Sequence, residues 1–288
     1  MKALVLSGGG SKGAYQIGVL KRWMGEEERD YDIMTGVSVG ALNVAGLALT
    51  PKGNPKDAIK WMEYFWLKKV STKAIYKRWF PFGVFHALWL KSVYDSSPLT
   101  DLVTNNIHLD KIKSNGRQLA VGAVCLDTGI YHYGREYDDD FAKWVIASAS
   151  FPVFFNPIEI NGQLWADGGI KHVTPIAQAI RMGATEIDVI MCSNFDDHKW
   201  ISESKVAIPN QVIRTLDIMS EQIIRADLEI TGLKNDLSAI DHRFRHVKIN
   251  VIMPKNELIS NSLDFNHNDI KRMMKIGYDD AYNVIKYH

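Results

Sequence analysis

Leu4-Val5-Leu6-Ser7-Gly8-Gly9-Gly10-Ser11-Lys12-Gly13 stands near the start of the chain, and its reading decides the fold. Residues 2–6 form an apolar run of strand length, 7–12 a glycine loop, and 14–24 a helical pattern with Ile17, Leu20 and Met24 on one face. The succession recurs at 33–35, where a short strand meets Gly36 and a helix of small residues follows over 41–49. Strand, glycine turn and helix, twice over, predict an α/β fold with a mostly parallel central sheet.

Further along, 118–125 and 130–133 flank Asp127-Thr128-Gly129, and 158–160 and 163–166 flank Asn161-Gly162; both read as hairpins. A helix over 175–182 stops at Gly183 and leads into a strand over 187–192, another βαβ-like unit. Val212, Leu216, Met219, Ile223, Ala226, Ile230 and Leu233 alternate spacings of four and three, as a coiled-coil seam does. The expectation here is one long helix packed on the sheet through these residues. Residues 246–252 are expected to form the last strand. The last helix is expected over 268–286, packed through Ile270, Met273, Met274, Gly277, Ala281 and Ile285. With no internal repeat and no linker rich in Pro, Gly or Ser, 1–288 reads as one domain. Its motifs fall within about 1–192, and 193–288 is a helical extension plus the last strand.

The 288 residues are 46% hydrophobic and 23% charged, which excludes collagen-like, disordered and low-complexity chains. Lys+Arg at 34 against Asp+Glu at 33 leaves a net charge of +1, so no nucleic-acid partner is expected. Cys125 and Cys192 lie in apolar runs and read as buried thiols rather than a disulfide framework. The N-terminal apolar run meets glycines too soon for a signal peptide, and no stretch reaches the roughly 18–20 apolar residues of a spanning helix. These features lead one to expect a soluble, cytoplasmic protein, at most peripheral at a membrane. No EF-hand loop or zinc signature is present, so no metal is expected; His242 and His246 lack an H-E-x-x-H context and read as exposed.

Three chemistries compete for the glycine loop. Gly8, Gly10 and Gly13 fit the G-x-G-x-x-G spacing of a dinucleotide-binding Rossmann-type protein. That fold needs an acidic residue at the end of the second strand, whereas Asp30 and Asp32 precede or open it. A phosphate-gripping loop needs Lys and Ser or Thr after its last glycine, and Ala14-Tyr15 follow Gly13. An oxyanion hole needs backbone N–H groups freed by consecutive glycines beside a helix N-terminus. A tight turn alone does not need three glycines in a row.

Gly36-Val37-Ser38-Val39-Gly40 matches G-x-S-x-G between a strand and a helix. A nucleophile on such a turn sits in strained backbone, with glycines two residues to either side and the positive end of the helix facing it. An α/β-hydrolase esterase with a Ser-Asp-His triad is the natural competitor. Its serine follows several strands, however, and Ser38 has room for only two before it. None of the nine histidines stands out as a catalytic partner.

At this point the sequence resembles the patatin-like phospholipase family. Gly8-Gly9-Gly10-Ser11-Lys12-Gly13 is similar to its oxyanion loop, Gly36-Val37-Ser38-Val39-Gly40 to its nucleophile elbow, and Asp167-Gly168-Gly169 to its Asp-Gly-Gly motif. Ala147-Ser148-Ala149-Ser150-Phe151-Pro152 and the hairpin leading to Asp167 are similar as well. The resemblance implies a three-layer α/β/α fold and hydrolysis of lipid carboxylic esters, of the phospholipase A or lysophospholipase type, through an acyl-serine. It implies Ser38 as nucleophile, Asp167 as its base in a dyad without histidine, and the N–H groups of Gly8, Gly9 and Gly10 as the oxyanion hole. No cofactor is implied. Gly13, Gly36, Gly40, Gly168 and Gly169 support these loops, and Lys12 stands where many members carry arginine. Lysine keeps the cation but loses the bidentate contacts. Read without the family, Asp167 follows Leu164-Trp165-Ala166 at a strand tip, where apolar neighbours would raise its pKa and make it a better base. A turn or N-cap aspartate is the competing account. A catalytically dead scaffold is opposed by the intact Ser38 and Asp167.

Between Tyr64 and Tyr94 there is no Asp or Glu, while Lys68, Lys69, Lys73, Lys77, Arg78 and Lys91 accompany ten aromatic residues. Basic residues attract anionic headgroups, and Trp and Tyr favour the lipid boundary. Residues 64–94 are therefore expected to touch an anionic membrane, with a mobile cap over 79–90 marked by Pro81 and Gly83. Aromatics in the core above an ordinary solvated lysine face are the alternative.

Overall fold

Alternation along the strands sets the architecture. In the computed structural model, which describes residues 1–78, 92–194, 208–238, 240–241, 246–259 and 261–287, Leu4 and Leu6 enter one apolar cluster. Ala3 and Val5, between them, enter a second cluster on the opposite face. A strand buried on both faces belongs in the middle of a covered parallel sheet.

The strands are β1 (Lys2–Leu6), β2 (Ile33–Val37), β3 (Lys77–Arg78), β4 (Tyr94–Asp95), β5 (Gln118–Cys125), β6 (Tyr131–Arg135), β7 (Ile158–Ile160), β8 (Gln163–Asp167), β9 (Glu186–Ile190), β10 (Lys248–Ile252) and β11 (Ile285–Tyr287). The main sheet runs β11-β10-β9-β1-β2-β5-β8-β7, with β6 also on β5 and β3-β4 apart as a small hairpin sheet. Strands β10, β9, β1, β2 and β5 are mutually parallel; β11, β6, β8 and β7 join antiparallel.

One helical layer holds α1 (Gly13–Leu20), α2 (Val39–Leu47), α3 (Pro55–Lys68), α4 (Thr72–Ile75), α5 (Ser97–Asn106), α6 (Leu109–Ser114) and α7 (Phe141–Ser148). The other layer holds α8 (Ile176–Arg181) and α9 (Ile208–Leu237), and α10 (His267–Asp280) returns to pack on α1. This is the expected three-layer α/β/α arrangement with a mostly parallel sheet.

One detail of the sheet positions everything that follows. Ala123 and Val124 of β5 pair with both β6 and β8, so these two lie on opposite edges of β5. Gly122 pairs with both β2 and β6, which puts β2 on the same edge as β8. Val37 at the end of β2 faces Gly122, and Asp167 at the end of β8 faces the next residue, Ala123. The two strands meet end to end along β5.

Two expectations about the C-terminal part need correction. The last helix ends at Asp280, not 286, and Ile285 lies in β11, an additional strand paired with β10. Without β11 the ladder groups of β10 would form an open edge, and pairing by the last residues satisfies them. In α9 the described part of the 4-3 seam does not face the sheet: Met219, Ala226, Ile230 and Leu233 are exposed and Ile223 is half-buried, while the side chains of Val212 and Leu216 lie outside what the structure describes. Ile224, Leu228, Thr231 and Asn235 make the inward stripe instead. The cap expected over 79–90 and His242 lie outside the described residues, and His246 is exposed. Cys125 closes β5 and Cys192 lies just beyond β9; both are buried free thiols.

Candidate active site

Ser38 is the N-cap of α2, with φ 57° and ψ −127°. A non-glycine residue rarely adopts this backbone, and strain of this kind persists only where the surroundings dictate it. They do so here by close approach. A Cβ on Gly36 would lie 2.4 Å from the Gly40 carbonyl, and one on Gly40 would lie 2.3 Å from the Leu6 oxygen. The Ser38 side chain makes no capping bond to α2, so its hydroxyl is left for other partners.

Asp167 caps the short turn Gly168–Ile170, with Oδ1 accepting the Gly169 N–H at 2.8 Å. The residue is 1% exposed, and Oδ2 has no partner in full hydrogen-bond geometry. Burial is the dominant influence and pushes its pKa up to about 7, against the lowering effects of the Ser38 hydroxyl and the Gly169 N–H. The Ser38 hydroxyl thus lies close enough to influence Asp167 without a fully formed bond.

The glycine loop lies against the same serine: a Cβ on Gly8 would come within 3.2 Å of Ser38 Cβ. Gly9 (φ 153°) and Gly10 (φ 56°) adopt backbone that favours glycine. A side chain on Gly9 would strike Cys192, and one on Gly10 would strike the Ser262 carbonyl. The Gly8 N–H is already given to Val173 O at 3.2 Å. Of the three donors expected, only those of Gly9 and Gly10 lack an acceptor among the described residues. Gly13 packs on Val39, and Gly168 on the Gly122 carbonyl, so both close the joints around the site. Lys12 is buried at 6% exposure and has no ion-pair partner among the described residues. Burial pushes the Cys192 thiol up to about 12, against the lowering effect of the Lys12 charge, so that thiol stays protonated.

Several residues that hold this arrangement carry no motif. Ser148, at the end of α7, accepts the Ser38 N–H on its hydroxyl at 3.0 Å, and the Ser150 carbonyl accepts the Asp167 N–H at 3.0 Å. One short segment therefore ties the backbone of both residues. Beneath the glycine loop runs a buried chain. Trp66 Nε1 donates to Asn43 Oδ1 at 2.9 Å, Asn43 Nδ2 donates to Gln16 Oε1 at 2.8 Å, and Gln16 Nε2 donates to Ser7 O at 2.9 Å. The segment around Ser148 is legible as family-like in sequence, but nothing in the spacing of Gln16, Asn43 and Trp66 signals their linkage.

Ser38, Asp167, Gly8, Gly9, Gly10 and Lys12 line one cavity of about 170 Å³. Its remaining wall is mainly apolar, with Trp61, Phe65, Leu99, Val103, Phe155 and Leu263 among the contributors. No histidine lines it among the described residues, so the triad arrangement has no third member there. Asp30 and Asp32, which dinucleotide binding would require near the loop, sit before β2 and are held by Arg117 and Lys52. No cluster of three or more His, Cys, Asp or Glu suited to a metal occurs among the described residues.

Comparison with known proteins gives the family. The family model of patatin-like phospholipases matches residues 4–180, and the chain belongs to that family. Among curated proteins, the uncharacterized protein YjjU of Escherichia coli is 24% identical over 194 residues, covering 65% of this chain and 51% of its own length. The uncharacterized protein L620 of Acanthamoeba polyphaga mimivirus is 34% identical over 116 residues, covering 38% of this chain and 30% of its own. The chain thus spans about half or less of the curated relatives it matches. Among solved structures, VipD from Legionella pneumophila aligns with a TM-score of 0.47 at 16% identity, over 98% of this chain and 66% of its own.

Proposed function

We propose that the chain hydrolyses carboxylic esters of lipids, in the manner of a phospholipase A or lysophospholipase, through an acyl-Ser38 intermediate. Asp167 accepts the Ser38 hydroxyl proton as Oγ attacks the ester carbonyl. The N–H groups of Gly9 and Gly10, helped by the positive end of α2, hold the oxyanion. Asp167 then returns the proton to the departing alcohol, and water releases the acyl group by the same steps in reverse. Apolar side chains along the cavity suit an acyl chain. We further propose that residues 64–94 bring the site to anionic membrane. Lys68, Lys69, Lys73, Lys77 and Arg78 are exposed, and α3 carries Lys68 together with the cavity residues Trp61 and Phe65.

The observation that carries the reading is the meeting of a strained, uncapped serine with a buried carboxylate whose pKa lies near 7, beside unpaired glycine N–H groups. A fluorophosphonate probe tests it. The wild-type protein should label at Ser38 and turn over lipid esters, and Ser38→Ala should abolish both while the far-ultraviolet spectrum stays unchanged. Substantial turnover by a clean Ser38→Ala preparation would sink the proposal.

A further inference from the structure

Helix α9 attaches to the body by one stripe and presents another to solvent. Ile224, Leu228, Thr231 and Asn235 are buried, and Asn235 clamps the stripe by a reciprocal pair of bonds to the Val247 backbone, at 2.8 and 2.9 Å. On the other side Met219, Ile230, Leu233 and Leu237 are 40–56% exposed, Ala226 is exposed and Ile223 is half-buried. These six residues follow one another at spacings of four, three, four, three and four.

We infer that this stripe is the seam of a parallel, in-register coiled coil between two copies of the chain. A sustained 3.5-residue period is what a facing helix of the same kind requires, whereas a helix lying on lipid needs a broader apolar face. Taking Ile223, Ile230 and Leu237 as a positions puts Met219, Ala226 and Leu233 at d. Ile223 and Ile230 at a with Leu233 at d are the combination that favours two parallel strands. In that register Glu229 is a g residue, and it faces Lys234 at e of the second copy, twice by symmetry. Neither Glu229 nor Lys234 has an ion-pair partner among the described residues of its own chain. The buried stripe falls at b and f, which point away from the seam, so each body lies on the side of its helix away from the second copy. Glu229 and Asp236 beside the seam disfavour an anionic bilayer as the occupant.

Sedimentation of the full chain tests this. The wild type should run as a dimer, and Ile230→Glu with Leu233→Glu should run as a monomer with unchanged helicity. Neither residue lines the cavity, so fluorophosphonate labelling should persist. Glu229→Lys should weaken self-association a few-fold, and adding Lys234→Glu should restore it. Under copper phenanthroline, Leu233→Cys should link two chains, because d meets d only in the parallel register. A monomeric wild type, or a dimer indifferent to the paired glutamates, overturns the proposal. A dimer that Leu233→Cys fails to link overturns the register. A monomer that binds phosphatidylcholine–phosphatidylglycerol vesicles through the stripe assigns it to lipid, and overturns the proposal as well.

Discussion

A carboxylate with a pKa of about 7 has consequences for both rate and stability. To take the Ser38 proton Asp167 must be ionised. On a soluble ester, kcat/KM should therefore rise about tenfold per pH unit below about 7 and level off above it. A flat profile across that range would remove Asp167 as the base. Asp167→Asn should lower the rate by roughly 10²–10⁴-fold, while replacing any single histidine should do far less. The effect on stability has its own sign. Folded Asp167 keeps its proton up to about 7, whereas the unfolded chain releases it near 3.8. Between these values the unfolded state binds fewer protons, so this residue makes stability fall as pH rises from about 4 to about 7, with no further loss above. Asp167→Asn should therefore melt higher than wild type at alkaline pH, and the gap should close towards about pH 4. Equal melting temperatures at both ends would mean that the carboxylate is not held in a desolvated site.

At the scale of elements, the site depends on supports that a linear reading does not reveal. Asn43→Leu would strand the Trp66 N–H and the Gln16 carbonyl oxygen, each costing about 1–3 kcal/mol. Thermal unfolding should move down accordingly, and fluorophosphonate labelling should slow because the glycine loop loses its underside. A variant as stable and as reactive as wild type would show that the buried chain is incidental. The same contrast explains what the sequence made legible. Glycine loop, elbow and hairpin were readable because each is local: a few adjacent residues with one backbone solution. The order β11-β10-β9-β1-β2-β5-β8-β7 is non-local, and neither β11 nor the outward turn of the α9 seam follows from periodicity. A 3.5-residue stripe states that one face is apolar, not what it meets. The commitment of the Gly8 N–H to Val173 likewise depends on a loop far along the chain.

For the whole molecule the question is how the proposed site would meet an insoluble substrate. No described helix is long and apolar enough to cross a membrane. Most aromatics of 64–94 within the described residues turn inward: Trp66 is buried on Asn43, and Tyr76 stacks on Tyr94 at 4.4 Å. The exposed cations remain. Reversing Lys73, Lys77 and Arg78 to glutamate should weaken binding to anionic vesicles, most at low salt, and leave hydrolysis of a short soluble ester unchanged. If vesicle binding is unaffected, or if both activities fall together, the segment is a wall of the site and nothing more.

The meeting of β2 and β8 along one edge of β5 also bears on when the activity begins. During synthesis Ser38 emerges long before Asp167, and until β8 zips onto β5 the proposed nucleophile has no base. A slip of one residue in that register would turn the Asp167 side chain to the other face. On the proposed mechanism the sheet works as an interlock, in which the chemistry is armed only when β8 pairs with β5. On that reading a nascent chain that has not yet reached β8, or one misregistered on β5, holds Ser38 without its base.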